Sequence, residues 1–415
     1  MIQNSLETFA DNVFFFLTGE TRGSKGLLVK KHSESVNIHG EFSFPLTVKS
    51  WHGLIDSSKL SVDESNNLMT CIGKTTEELI KESQNWNLQI NKVKERKGRI
   101  HIFLDRIISI RTGMIEALKN NELITSRLDG TLNSVSCESL CNDNCMSSFR
   151  LRHFAETIQN LCAISGNTLK IFVSGKSSCI CPDGSKMVLC GAVVNAKTGS
   201  KEKSITGDEF VRLRQNEMTL IAQHKYGVRV STDSKWKEFI ASLGESAAVF
   251  ELLETKPSSA VKINFGSSSA GSSKGAAFVL YNCARLETIV RTFNEKVDEA
   301  VYPPLPEFEN TDLTLLTQED EWNIVFNFIL GFPGLLNSCI EISETTCEFR
   351  PHQLCSFLCS LVRVFSQYYR RVRILTEPRK HLLPVMYARI QMLKVLNETL
   401  KICLRILNIK SVTQM

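Results

Sequence analysis

The most regular pattern of apolar positions lies near the end of the chain. Leu383, Met386, Ile390, Leu393, Leu396, Leu400, Leu404 and Leu407 recur at threes and fours. This spacing predicts a helix over 382–407 laid on a core, with Pro384 in its first turn. Ala276–Val297 carries one periodic face, Glu319–Ile329 restarts a helix that Gly331 and Pro333 should end, and Cys347–Tyr369 is a further long helix. Residues 301–312 contain Pro303, Pro304 and Pro306 and should be extended. Together these predict an all-α bundle of roughly four or five helices over 274–415.

The preceding residues alternate between periods. Leu6–Leu17 reads as a helix, Gly26–Lys31 and Glu41–Val48 as strands, and Ser61–Glu82 as a helix capped by Asp63. Trp86–Val93 and Ile100–Leu104 follow as strands and Asp105–Leu118 as a helix. Residues 129–147 are rich in Ser, Asn and Asp, which marks a loop and a boundary. Beyond it come a helix (Phe149–Leu161), two strands (Thr168–Val173, Met187–Val194), two helices (Glu209–His224, Lys235–Leu253) and a short strand (Val261–Phe265). Gly266–Gly275 is mostly Ser and Gly and should be mobile. The expected fold class is a mixed α/β (α+β) N-terminal region followed by the α-helical bundle. The expected domains are 1–130, 148–265 and 274–415.

Composition narrows the class. The 415 residues are 42% hydrophobic and 22% charged, as in globular proteins, which excludes wholesale disorder. The N-terminus has no basic n-region, and its apolar run Val13–Leu17 is too short for a signal core. No stretch approaches the roughly 18–20 apolar residues a bilayer needs. The expectation is a soluble, cytoplasmic chain without a membrane partner. Its fourteen cysteines then read as mostly reduced thiols, with Cys283, Cys339, Cys355, Cys359 and Cys403 inside apolar helical patterns. Two clusters, Cys137/Cys141/Cys145 and Cys179/Cys181/Cys190, invite a zinc reading. Neither contains a CxxC or an interleaved His, so loop or core thiols are expected and no metal.

Charge is mild overall, at +5, but segregated. From Asp298 to Arg350 eleven acidic residues face one base, whereas from Arg363 to Met415 eleven bases face only Glu377 and Glu398, a net +9. Such a segment attracts phosphate and supports binding by counterion release. Tyr368, Tyr369 and Tyr387 interleave with its arginines, and rings beside guanidinium planes are what unstacked RNA bases need. A solvated helix face is the plainer alternative.

The same residues carry a resemblance. Segment 273–293 resembles the arginyl-tRNA synthetase stretch G-x-x-x-x-x-Y-x-x-A-R-x-x-x-I-x-R, through Gly275, Tyr281, Ala284, Arg285, Ile289 and Arg291. EWNIVFNFILGFPGLL (321–336), FSQYYRRVRIL (365–375) and YARIQMLKVLNETLKICLRILNI (387–409) resemble later helices of that family in the same order. The class I signatures H-I-G-H and K-M-S-K-S are absent. Only His39-Gly40 and Lys186-Met187 stand near them, so the charge that develops in aminoacylation would meet no such cations. KIFVSGKS (170–177) ends like a P-loop but lacks its first Gly, and no glycine-rich turn suited to a methyl donor is present. His153 and His224 stand without a paired nucleophile.

A synthetase-like tail without synthetase chemistry resembles the DALR anticodon-binding domain-containing protein 3 family. The resemblance implies a C-terminal DALR anticodon-binding domain of the class I synthetase type, no catalysis and no cofactor. It also implies recognition of arginine tRNA at the anticodon stem-loop. The partner would be a tRNA 3-methylcytosine methyltransferase acting at position 32. The candidate RNA-binding residues are Tyr281, Arg285, Arg291, Tyr368, Tyr369, Arg370, Arg371, Arg373, Arg389, Lys394 and Met415. Plainer roles stay open for several of them: helix packing with snorkelling for Tyr281 and Arg285, an internal ion pair for Arg389, and fraying for Met415. The alternatives to the whole reading are a divergent arginyl-tRNA synthetase-like enzyme and a protein-interaction module that no longer touches RNA.

Overall fold

The computed structural model describes residues 2–21, 28–55, 66–130, 134–138, 144–166, 168–226, 234–264, 273–344 and 346–412. They group into two units, 1–120 with 309–334 and 121–308 with 335–415.

In the first unit, alternation builds a four-stranded antiparallel sheet of order β1-β2-β4-β3: β1 (Lys30–Lys31), β2 (Phe42–Pro45), β3 (Ile90–Arg96) and β4 (Arg99–Leu104). Lys97 and Gly98 turn β3 into β4 with φ of 50° and 68°, the left-handed pair that a two-residue hairpin requires. Phe42, Phe44, Ile100, Ile102 and Leu104 are buried together with the apolar side of helix α1 (Ser5–Thr18), where the Phe9 ring lies 4.7 Å from Phe42. The helix expected over Ser61–Glu82 is instead two short ones, Leu68–Cys71 and Thr76–Ser83, separated by Gly73 at φ +65°. Thr75 and Glu78 form a capping box at the second. Asp63 and the first two residues of the strand expected at Gly26–Lys31 lie outside the described residues, and of the other four only Lys30–Lys31 is strand. Helix α2 (Arg106–Asp129) runs well past its expected end.

Segment 309–334, expected within the terminal helical run, packs in this first unit. Trp322 donates its indole N–H to the buried Glu41 carboxylate at 2.9 Å and stacks on Phe326, whose ring meets Phe42 edge-on. Gly331 and Pro333 do not end the helix region: Glu319–Asn323 widens into a π-helical stretch, Ile324–Ile329, and Phe332–Cys339 resumes as α-helix. Ile324, Val325, Phe326, Phe328 and Ile329 are all buried, and the widened turn seats side chains around most of its circumference.

The second unit is organised around helix α3 (Met146–Ser165). Strands β5 (Val135–Cys137), β6 (Lys170–Ser174) and β7 (Ser185–Leu189) form a parallel sheet, and β8 (Val193–Asn195) pairs in parallel with β9 (Val261–Ile263). β5 falls inside the segment expected to be loop, because three residues leave no periodic trace. Helices α4 (Gly207–Tyr226) and α5 (Ser234–Leu253) pack on each other. The Arg150 side chain on α3 is 1% exposed and has no carboxylate among its hydrogen-bond partners. It donates to the carbonyls of Leu252, Gly191, Ser259, Thr255 and Lys256 at 2.7–3.3 Å.

The Ser/Gly run lies largely outside the described residues, and the bundle begins with α6 (Ser273–Asp298). It packs against α5, α7 (Pro351–Arg371) and α8 (Leu383–Ile406). In α8, Met386, Ile390, Leu393, Leu396, Leu400 and Leu404 are buried as their spacing predicts. Cys347–Phe349 is not helical as expected but pairs with Ile340–Ile342 as a short hairpin before Pro351 starts α7.

Two outcomes follow from this packing. Arg150→Met leaves five carbonyls without their donor and is expected to lower unfolding free energy by about 3–5 kcal/mol in urea melts. On the polar side of the first sheet, the His32, His39 and His101 rings lie 5.8–6.2 Å apart. Burial, then Lys30, the other two imidazoles and Arg99, hold His32 below its ordinary value. The unfolded chain therefore takes up the proton first. His32 contributes its stability in full above about pH 6.5 and loses it as pH falls below that value. His32→Gln should flatten that acid limb in melts taken across the pH range.

Candidate nucleic-acid interface

Tyr281 and Arg285 sit four apart on α6 and therefore on one face. The Arg285 guanidinium lies 4.5 Å from the Tyr281 ring centre and 4.6 Å from that of Tyr369 on α7, so it meets two rings at cation–π distance. Its Nη2 donates to the Tyr281 hydroxyl at 2.7 Å, and its Nη1 reaches the Asn282 Oδ1 at 3.4 Å. Asn282 is fully buried and is fixed by donating to the Phe278 carbonyl. Tyr369 remains 41% exposed.

The arginines continue from this stack. Arg370, Arg371 and Arg373 are exposed at the end of α7 and just beyond it, and Arg389 of α8 donates to the Arg373 carbonyl at 3.4 Å. Tyr302 steadies the same stretch from inside: its ring stacks on Phe293 and its hydroxyl donates to the Thr376 carbonyl at 2.6 Å. Tyr387 is half-buried edge-on to Phe293, and burial raises its phenol above the ordinary value. Arg363 and Gln367 were not among the expected residues. They are exposed on α7 in line with Arg370, and the seven-residue spacing of Arg363 from Arg370 was the available signal.

Three expected residues are placed elsewhere. Tyr368 is a correction. One residue of helical rotation turns it into the core, where it is 0% exposed and offers no ring face to a base. Arg291 pairs with Glu295 on its own helix at 3.6 Å. Lys394 lies on the face of α8 that carries Glu398, Lys401 and Arg405, about 140° around the helix from Arg389. Met415 lies outside the described residues.

Much of that second face is neutralised. Arg405 meets Asp129 at 2.6 Å, and Lys401 meets both Glu287 and Glu398. Burial works against the Lys401 charge, but the two carboxylates outweigh it and hold the ammonium above its ordinary value. An open groove of about 580 Å³ there is lined by Ser242, Ser246, Lys401, Arg405 and Lys410.

The segments that stand near nucleotide-binding motifs are engaged in structure. His39 accepts from His101 through its carbonyl, and Gly40 at φ +65° has no room for a Cβ against the Ile102 backbone. Lys186 donates to the Ser343 carbonyl. The Ser174 hydroxyl and the Gly175 N–H hold the Glu138 carboxylate at 2.8 and 3.2 Å, with the Lys176 ammonium at 3.9 Å. All described cysteines are free thiols, and among the described residues no group of three or more His, Cys, Asp or Glu is placed to hold a metal. Cys141 lies outside them.

Residues 279–415 match the model of the DALR anticodon binding domain. The Tyr–Arg–Tyr stack and the arginines after it thus belong to a DALR domain. The chain is similar to the DALR anticodon-binding domain-containing protein 3 of Rattus norvegicus, with 34% identity over 220 residues, 52% of this chain and 40% of that relative. The Danio rerio protein of the same name is 32% identical over 238 residues, 55% of this chain and 42% of its own length. The matched stretch thus spans about two-fifths of those relatives. Among solved structures, the Thermus thermophilus arginyl-tRNA synthetase aligns with a TM-score of 0.41 and 16% identity, covering 62% of this chain and 38% of that one.

The two neighbouring tyrosines of the DALR domain should separate cleanly. Tyr368→Ala is expected to cost about 3–5 kcal/mol of stability, and Tyr369→Ala about 1 kcal/mol or less. Denaturant melts of the two variants check this.

Proposed function

We propose that this chain is a non-catalytic tRNA-binding factor whose DALR domain grips an anticodon stem-loop. The observation that carries the reading is the exposed Tyr369 ring, backed by Arg285 and flanked by Arg363, Arg370, Arg371 and Arg373 on one stretch of the DALR domain. Phosphates supply affinity to such a surface and unstacked bases supply selectivity. The half-buried Arg389 extends the cationic rim. The finer reading is recognition of arginine tRNAs and assistance to a partner methyltransferase that forms 3-methylcytosine at position 32. It is supported by the resemblance to the DALR anticodon-binding domain-containing protein 3 family. Residues 1–130 and 148–265 would then position the tRNA and hold the enzyme, whose local concentration at the bound loop would rise. Free thiols at the described cysteines, and no described helix long and apolar enough to cross a membrane, fit a cytoplasmic setting.

Binding of an arginine-tRNA transcript at several KCl concentrations tests the reading. Arg370→Ala with Arg373→Ala should weaken binding and lower the salt slope by about two, one for each phosphate that is no longer neutralised. An unchanged slope would assign this surface to protein rather than RNA. ATP–pyrophosphate exchange with arginine should be absent, and robust exchange would favour the divergent-enzyme alternative.

A further inference from the structure

One row of register partners crosses all four strands of the first sheet: Lys30 on β1, Ser43 on β2, His101 on β4 and Lys94 on β3. They share one face of the sheet, and so do His32 and Arg99, which stand two residues from Lys30 and His101 along the chain. Over this face the chain crosses from β1 to β2 through the short helix Val36–His39, entered by Ser35 at φ +51°. A serine in the left-handed region is strained, so the crossing has to be held down. Its ties to the rest of the unit include the Ser33 carbonyl, which accepts from Asn327 at 3.0 Å, and the His39 carbonyl, which accepts from His101 Nδ1 at 2.7 Å. A third tie joins His32 Nε2 to Ser43 Oγ at 2.8 Å. The partners of Ser43 decide where the proton lies in it. Arg99 donates to Ser43 Oγ from Nε at 3.2 Å and from Nη2 at 3.1 Å. Those two N–H groups take the lone pairs of the hydroxyl oxygen, so its own O–H is directed to His32 and Nε2 must accept. His32 is thereby held neutral, with its proton on Nδ1.

We propose that His32 is an acid-sensitive latch: a proton taken from solvent at Nε2 breaks the bond to Ser43, and residues 32–40 lift off the sheet while the β3–β4 hairpin stays folded. The protonated ring would face an oxygen with no lone pair to spare and a guanidinium behind it. Its other neighbours make the charge worse. Lys30 comes from β1, Lys94 from β3 and His101 from β4, and the His39 and His101 ring centres lie 5.9 and 6.2 Å from that of His32. Glu34, the one carboxylate between His32 and Gly40, is exposed to water, which screens it. Like charges packed this closely favour the open form, where each is solvated. Opening uncovers Ser43 and His101, which are 0% and 7% exposed in the closed form. The device is independent of what the DALR domain binds.

Hydrogen exchange of the full chain, read by mass spectrometry between about pH 5 and 8 and corrected for the intrinsic exchange rate, tests the latch. Protection of residues 30–41 should fall about tenfold for each pH unit below about 6.5, down to the pH at which the latched ring itself titrates. That slope is the mark of one proton taken up on opening. Peptides of the β3–β4 hairpin should keep their protection over the same range. His32→Gln, whose side-chain carbonyl still accepts from Ser43, should leave the protection of 30–41 flat with pH. Arg99→Met frees the lone pairs of Ser43, so the closed ring tolerates a proton, and the fall should shrink to less than about threefold for each unit. This variant serves if the glutamine one does not fold. Nitrogen-15 spectra of labelled histidine should show His32 at about pH 8 with a bare Nε2 and a protonated Nδ1. The latch is overturned if Nε2 carries the proton there, if protection of 30–41 does not change with pH, or if His32→Gln keeps the wild-type slope. It is equally overturned if the hairpin loses protection in step, because the event is then global unfolding.

Discussion

The second unit depends on a buried cation that has carbonyls for partners instead of an acid. Arg150 reaches from α3 to the last turn of α5, to the turn that follows it, and to the residues entering β8 and β9. Helix C-termini and tight turns leave carbonyls unsatisfied, and a guanidinium with five N–H donors answers several at once. The approach is close enough that Gly191 admits no side chain against the Ser259 backbone. The consequence reaches the DALR domain, because α5, held at its end by Arg150, is one of the helices on which α6 packs. A position deep in the α/β portion thereby helps set where Tyr281 and Arg285 stand.

Within the DALR domain, the C-terminal bases are sorted by their surroundings. On one side of α8, carboxylates from α2, α6 and α8 itself meet Arg405 and Lys401, so those cations act as internal ties. Around the end of α7, Arg363, Arg370, Arg371 and Arg373 stay exposed beside the Tyr369 ring. A net charge of +9 along the sequence is therefore a much smaller patch in space, and the ion pairs decide which part of it is available to an anion. The aromatic residues divide in the same way: Tyr302 and Tyr368 are interior, Tyr387 is half-buried, and Tyr369 presents its ring.

Periodicity was the dependable guide to elements. The eight-residue stripe of α8, the faces of α1 and α6, and the β4 strand were legible because each repeats its pattern over several turns or alternations. The short pieces were not. β5 is a three-residue strand fixed by pairing with the distant β6, the local hairpin at 340–349 joins two strands of three residues that are too short to show alternation, and the split at Gly73 depends on a positive φ that only the folded backbone reveals. The site was half legible: the Tyr281–Arg285 spacing and the arginine cluster were visible, whereas the separation of Tyr368 from Tyr369 needed the phase of the helix against its neighbours.

The amino-acid sequence by itself determined the order of mixed and helical regions, the segregation of charge, and the motif spacing that led to a DALR domain, because each is a property of residues near one another along the chain. Only the tertiary structure decided that 309–334 leaves the helical run to pack on the first sheet, that Lys401 and Arg405 are neutralised, and that Arg285 meets rings from two different helices. Those outcomes depend on which side chains meet across long separations, and burial, ion pairing and ring stacking act through space.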